Sequence, residues 1–94
     1  MSEMSLEEQI RCMKEMRSYL GDFCKIMQQE MDTMKSQIDF LRSQGFSTET
    51  EQSYTQRYYN PAKDDVNQVV SHIYRHHFDF IDEVIEYLER AKNR

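Results

Sequence analysis

From Leu6 to Leu41 apolar side chains recur at steps of four and three residues: Leu6, Ile10, Met13, Leu20, Cys24, Met27, Met31, Met34, Ile38 and Leu41. Arg17 takes the one remaining place in the series and is its only polar member. A 3.5-residue repeat held this long specifies a single long helix with an apolar seam down one side. Such a helix draws most of its stability from what packs on that seam, so something must cover it. Two glycines and one proline among 94 residues leave little material for a loop-rich or β-rich fold. The 38% apolar content supports a modest core, and the length fits one small domain spanning 1–94.

Local signals set the expected boundaries. Ser5 is a suitable N-cap, with Glu7 and Glu8 in the first turn where acids suit the helix dipole. The spacing predicts a helix over about 5–43, and Gly45 is its natural stop. A turn over about 44–47 leads into a second arm over about 48–92. Thr48 and Glu51 have capping-box spacing, with Ser47 a competing cap. Asn60-Pro61 breaks this arm near 60–61, as a kink or as a new N-cap with Pro at N1. One apolar row beyond it holds Val66, Val70, Ile73, His77, Phe80, Val84 and Tyr87, and a second holds Tyr74, Phe78, Ile81, Ile85 and Leu88. Projected back at 100° per residue, Tyr54 and Tyr58 fall on the polar side. Either the phase breaks at Asn60-Pro61 or those tyrosines serve another contact. Two long helices joined by a short turn run antiparallel. The expected fold is therefore an all-α antiparallel helical hairpin, closing on a second hairpin as a four-helix bundle because the stripes are wider than one pairing needs.

Several function classes are disfavoured. A net charge of −5, with single cations scattered among acids, counts against nucleic acid and anionic membranes. No run is long and apolar enough for a transmembrane span, and the acidic stretch from Met1 to Glu8 does not look like a signal peptide. A cytoplasmic start is expected, with export open only to a route that reads no cleaved signal. Cys12 and Cys24 lie about 120° apart on one helix and cannot pair within it; Cys24, on the seam, reads as a small buried hydrophobe. There is no Ser-His-Asp candidate, no glycine-rich phosphate loop, and no Glu three residues before any His, so neither an enzyme nor a cofactor is expected.

Three features invite a sharper reading beside a bland one. His72 and His76, followed by Asp79 and Glu83, form a face that could hold a divalent metal or be merely solvated; no metal site is expected. His77, inside the apolar arc, is a half-buried core residue or a pH-sensitive contact. Arg17 either pairs with a buried carboxylate and sets partner specificity, or packs its stem and lifts its head into water. Met13, Met27, Met31 and Met34 soften the seam, as in an ordinary core or a surface that repacks around a partner.

Phe46, Tyr54 and Tyr58 stand at relative positions zero, eight and twelve, and Glu51-Gln52-Ser53 lead into Tyr54. With the two long helices around them, they resemble the WXG-type family of small helical hairpins handled by bacterial type VII secretion. In that family a Trp-x-Gly turn is followed by an aromatic eight residues after the Trp, and often another four later. Here Phe46 stands for the Trp and Thr48 for the Gly, with Gly45 before the aromatic. The family's export signal, a Tyr with an acid four residues on, is missing, because Tyr87 is followed there by Ala91. Phe78 and Asp82 give only a looser version. These departures fit better a helical partner of a larger secreted protein, like the companions of LXG-type toxins.

The resemblance implies a non-enzymatic interaction protein, either a type VII secretion substrate or a targeting partner or chaperone of an LXG-type effector. Leu20, Met27, Met31, Met34, Ile38 and Leu41 would contact the other chain, as homodimer or heterodimer. Gly45, Phe46, Tyr54 and Tyr58 would form the turn motif, and Arg17 would be the specificity candidate. The alternative is a cytosolic homodimeric bundle acting as an adaptor, antitoxin or immunity protein.

Overall fold

The computed structural model describes residues 3–94, so the first two residues of the expected 1–94 domain lie outside it. Every regular element among the described residues is helical. Helix α1 spans Leu6–Ser43 and α2 spans Thr48–Tyr54; a π-helical turn over Thr55–Tyr59 leads into α3, Asn60–His72, and a second over Ile73–His77 leads into α4, Phe78–Lys92. The chain is an all-α helical hairpin, α1 forming one arm and α2 to α4 the other. It divides into two compact units, one joining α1 up to Cys24 with Ser71–Arg94, the other formed by Lys25–Val70.

The Lys25–Val70 unit contains the turn. Gly45 has φ +97°, a left-handed conformation that favours glycine. The Gly45 N–H donates to the Arg42 carbonyl at 3.2 Å and the Phe46 N–H to the Leu41 carbonyl at 3.3 Å. These are the two bonds of a Schellman stop, and they satisfy carbonyls that the helix end would orphan. Ser47, not Thr48, caps the next helix: its Oγ accepts from the Thr50 N–H at 3.1 Å and donates to Thr50 Oγ1 at 2.7 Å. Extended backbone at Ser47 (φ −64°, ψ 142°) puts the hydroxyl where the first free N–H groups point.

Asn60 is helical (φ −60°, ψ −46°), so Pro61 begins no new helix. Pro61 has no N–H for the carbonyl four residues back, and its ring crowds that carbonyl. The strain is met just upstream, where the Asn60 N–H reaches five residues back to Thr55. Thr55 also turns its hydroxyl onto the Glu51 carbonyl at 2.9 Å. The extra residue moves the phase by about one position. Tyr59, not Tyr54 or Tyr58, enters the core beside Met31 and Ile38, with Ala62 and Val66 packed against them.

In the other unit, Ser5 Oγ accepts from the Glu8 N–H at 3.1 Å and donates to Glu8 Oε1 at 3.2 Å, so the expected first cap is in place. The second π turn, closed by the Phe78 N–H on the Ile73 carbonyl, again advances the phase by one. Burial leaves the row of Val70 and Ile73 and passes to Phe78, Ile81 and Leu88. The expected continuation through His77 and Phe80 is therefore corrected. His77 is exposed, and Phe80 is 62% exposed while its neighbour Ile81 is 1% exposed. Cys24 is fully buried and Cys12 exposed, both as free thiols.

Candidate interaction surface

The long seam on α1 is largely occupied inside the chain. Met31 and Ile38 belong to the core with Tyr59, and Leu20 and Met27 are half-buried. Met34 and Leu41 are the seam residues among the expected interface set that remain exposed. Of the six residues assigned to a partner, two are thus in the core, two are half-buried and two are exposed.

Arg17 is also engaged within its own unit. Its Nε donates to Asp82 Oδ1 at 2.7 Å and its Nη2 to Asp82 Oδ2 at 3.4 Å. The guanidinium lies 4.6 Å from the centre of the Phe78 ring, a cation–π distance. Tyr74 meets the same ring edge-on at 4.8 Å. The hydrogen bond to Asp82, and then its charge, hold the Arg17 pKa above its ordinary value. The guanidinium itself lies on the aromatic face, and its carboxylate partner, Asp82, is in the same unit and half-exposed, not buried.

Two further pairs span the arms of this unit, Lys14–Glu89 at 3.3 Å and Lys92–Glu7 at 3.5 Å. On α1, Glu7, Lys14 and Arg17 share one side by helix geometry, so this edge is closed by ion pairs. The opposite edge has a different character. Met16 and Phe80 border a hollow of about 250 Å³ together with His72, His76, His77 and Ile81. Phe23 follows Met16 after two turns and Tyr19 after one, on the same flank of α1. On α4, Val84, Tyr87 and Ala91 continue from Phe80 in steps of four, three and four. Tyr19 is 70% exposed and Tyr87 65% exposed, as wet as surface lysines.

This outer flank was readable in the sequence and missed. Cys12, Met16, Tyr19, Phe23 and Ile26 repeat the four-three step of the main seam and carry no charge. The longer seam masked the shorter one. On α4 apolar periodicity predicts the equivalent residues as core, because the π turn that displaces them leaves no mark in that periodicity.

The π turn also gathers all three histidines. In an α-helix His72 and His77 would sit about 140° apart. Here their rings are 5.4 Å apart, and His72 and His76 are 4.7 Å apart. Among the described residues no three His, Cys, Asp or Glu side chains are arranged to hold a metal ion.

In the turn-bearing unit, Phe46 and Tyr54 meet Ile38 and Leu41 around an apolar hollow of about 200 Å³. Phe46 over Leu41 is the hydrophobic contact that accompanies a Schellman stop. Tyr58 faces away into an open groove with Tyr54 and Arg57, its ring 5.5 Å from that of Tyr54. The expected turn residues are thus brought together, though as exposed side chains and not as a pinned core. No described helix is long and apolar enough to cross a membrane. Compared with known proteins, the chain matches no family model, no curated protein and no solved structure.

Proposed function

We propose that this chain is a non-enzymatic helical interaction protein of the WXG-like kind, acting in type VII secretion as a substrate or as the targeting partner of a larger LXG-type effector. The observation that carries the proposal is surface left open. The chain exposes 7472 Å². A compact monomer of its 11.4 kDa mass exposes about 5,800 Å². Large apolar side chains stand exposed in each unit: Met16, Tyr19, Phe23, Phe80 and Tyr87 in one, and Phe46, Tyr54 and Tyr58 in the other. Exposed apolar side chains grouped in this way are characteristic of association sites. The aromatic spacing after Phe46 supports the WXG-like form of the proposal.

Co-expression with the helical N-terminal region of an LXG-type protein encoded beside this chain tests it. A soluble complex of fixed stoichiometry, lost when Phe46 and Tyr54 are both changed to Ser, is the expected result. Failure to form a complex with any such neighbour would remove the secretion reading.

A further inference from the structure

We infer that the second π turn builds a binding site for a divalent transition metal that prefers nitrogen ligands, with His72 shared by two chelating pairs, His72–His76 and His72–His77. The inference is separate from the secretion reading and needs no partner chain.

The chain has three histidines, and all of them stand at the two ends of this turn. In an unbroken α-helix only residues three or four apart face each other, so His76 would neighbour His72 and His77 would point elsewhere. The turn over Ile73–His77 closes on a bond reaching five residues back, from the Phe78 N–H to the Ile73 carbonyl. A turn of that width sets the positions four and five residues on at either side of the starting residue. His72 accordingly has the His76 ring at 4.7 Å and the His77 ring at 5.4 Å, centre to centre. All three side chains are exposed, so an ion can reach them.

These separations suit metal-bound imidazoles. A ring nitrogen binds an ion such as Zn²⁺ at about 2.0–2.1 Å, which puts each ring centre about 3.2 Å from the metal. Two such rings lie about 4.5 Å apart at a right angle and about 5.2 Å apart at the tetrahedral angle. The observed spacings are close to both values, so either pair can close on an ion by rotation about its side-chain torsions. The three rings do not converge on one point, since among the described residues no three His, Cys, Asp or Glu side chains are arranged to hold an ion. The site is therefore bidentate, with water completing the coordination.

Its surroundings select the class of ion. The hollow of about 250 Å³ that the histidines border is otherwise lined by Met16, Phe80 and Ile81, with no carboxylate, lysine or arginine among them. Mg²⁺ and Ca²⁺ take oxygen ligands and find none from these side chains, whereas imidazole suits Zn²⁺, Ni²⁺ and Cu²⁺. A net charge of −5 favours the approach of any cation.

Calorimetric titration of Ni²⁺ into the untagged full chain gives the test, on a Cys12→Ser background that removes the exposed thiol. One Ni²⁺ per chain should bind with a dissociation constant below about 50 μM, and Mg²⁺ should not bind. His72→Ala breaks both pairs and should weaken binding about 100-fold or more, the scale by which a linked second contact exceeds a single one. His76→Ala leaves His72–His77 intact and should cost no more than about tenfold. His76→Ala and His77→Ala together should match His72→Ala. All these positions are exposed, so helix content by circular dichroism should stay unchanged throughout. No uptake at about 1 mM Ni²⁺, or uptake indifferent to His72→Ala, overturns the inference. A His76→Ala loss as large as that of His72→Ala also overturns it, because the π turn would then contribute no ligand.

Discussion

Replacing Ile81 and Phe80 separately by Ala tests the phase shift imposed by the second π turn. Side-chain size alone ranks Phe80 as the greater loss, since a buried Phe→Ala costs about 3–5 kcal/mol. Phe80 is 62% exposed, so only about a third of that burial is there to lose, giving about 1 kcal/mol. Ile81 is 1% exposed, and truncating a fully enclosed Ile costs about 2–5 kcal/mol, with about 3 as the central value. A chain of this length is held by about 5–14 kcal/mol, so Ile81→Ala removes a large share. With a urea slope of about 1–2 kcal/mol per molar, its midpoint should fall by about 1.5–3 M, and that of Phe80→Ala by less than 1 M. The melts must be run dilute enough that the midpoint no longer moves with protein concentration, so that any contact of Phe80 with a second chain is absent. Equal losses at the two positions, or a larger one at Phe80, would refute the shift of burial from one row to the other.

Three other outcomes follow from single observations. Gly21 is in the interior of α1 with positive φ absent, and an added Cβ would meet Phe78 Cζ at an ordinary 3.9 Å; Gly21→Ala should stabilise by about 0.5–1 kcal/mol, whereas Gly45→Ala, at φ +97°, should cost about 1–2 kcal/mol, both read from urea melts. Arg17→Met should lower the urea midpoint at low salt, and the difference should narrow without vanishing at about 1 M salt, because the 2.7 Å contact lies within the screening length of about 3 Å. Because the Arg17 pKa is raised, its contribution is fully present below the ordinary arginine range and is lost only above it, so the Arg17→Met difference should be flat from pH 6 to 9. Cys24 is fully buried, and burial raises its thiol pKa; one thiol, Cys12, should therefore react promptly with a disulfide reagent at pH 8, and the second only as fast as the chain unfolds.

Much of the local structure was legible residue by residue. Ser5 with Glu8, Gly45 with Phe46, and Ser47 before Thr50 are signals completed within a few positions, and short-range hydrogen bonds carry them out. The long seam was legible for the same reason, since one unbroken helix preserves its period. The candidate interface was legible only in part. Met31 and Ile38 lay on the right stripe, but a stripe does not say whether its cover comes from the same chain. Tyr54 and Tyr58 stand out by spacing and remain exposed, while Tyr59, the residue that enters the core, has no pattern to mark it.

Residue pattern alone specifies two helical arms, their caps and stops, and more apolar side chains than one face of each can hold. Which of those side chains stay outside is set by packing between the arms. Two π turns, the first forced beside a proline that cannot donate, each insert one residue into the count. Every position beyond such a turn rotates by about 100°, enough to exchange a buried row for an exposed one. Periodicity measures spacing along a helix and is blind to a slip in its phase. The exposed flank of Met16, Tyr19, Phe23, Phe80 and Tyr87 exists because packing against the other arm, and not apolar content, chose Ile81 over Phe80.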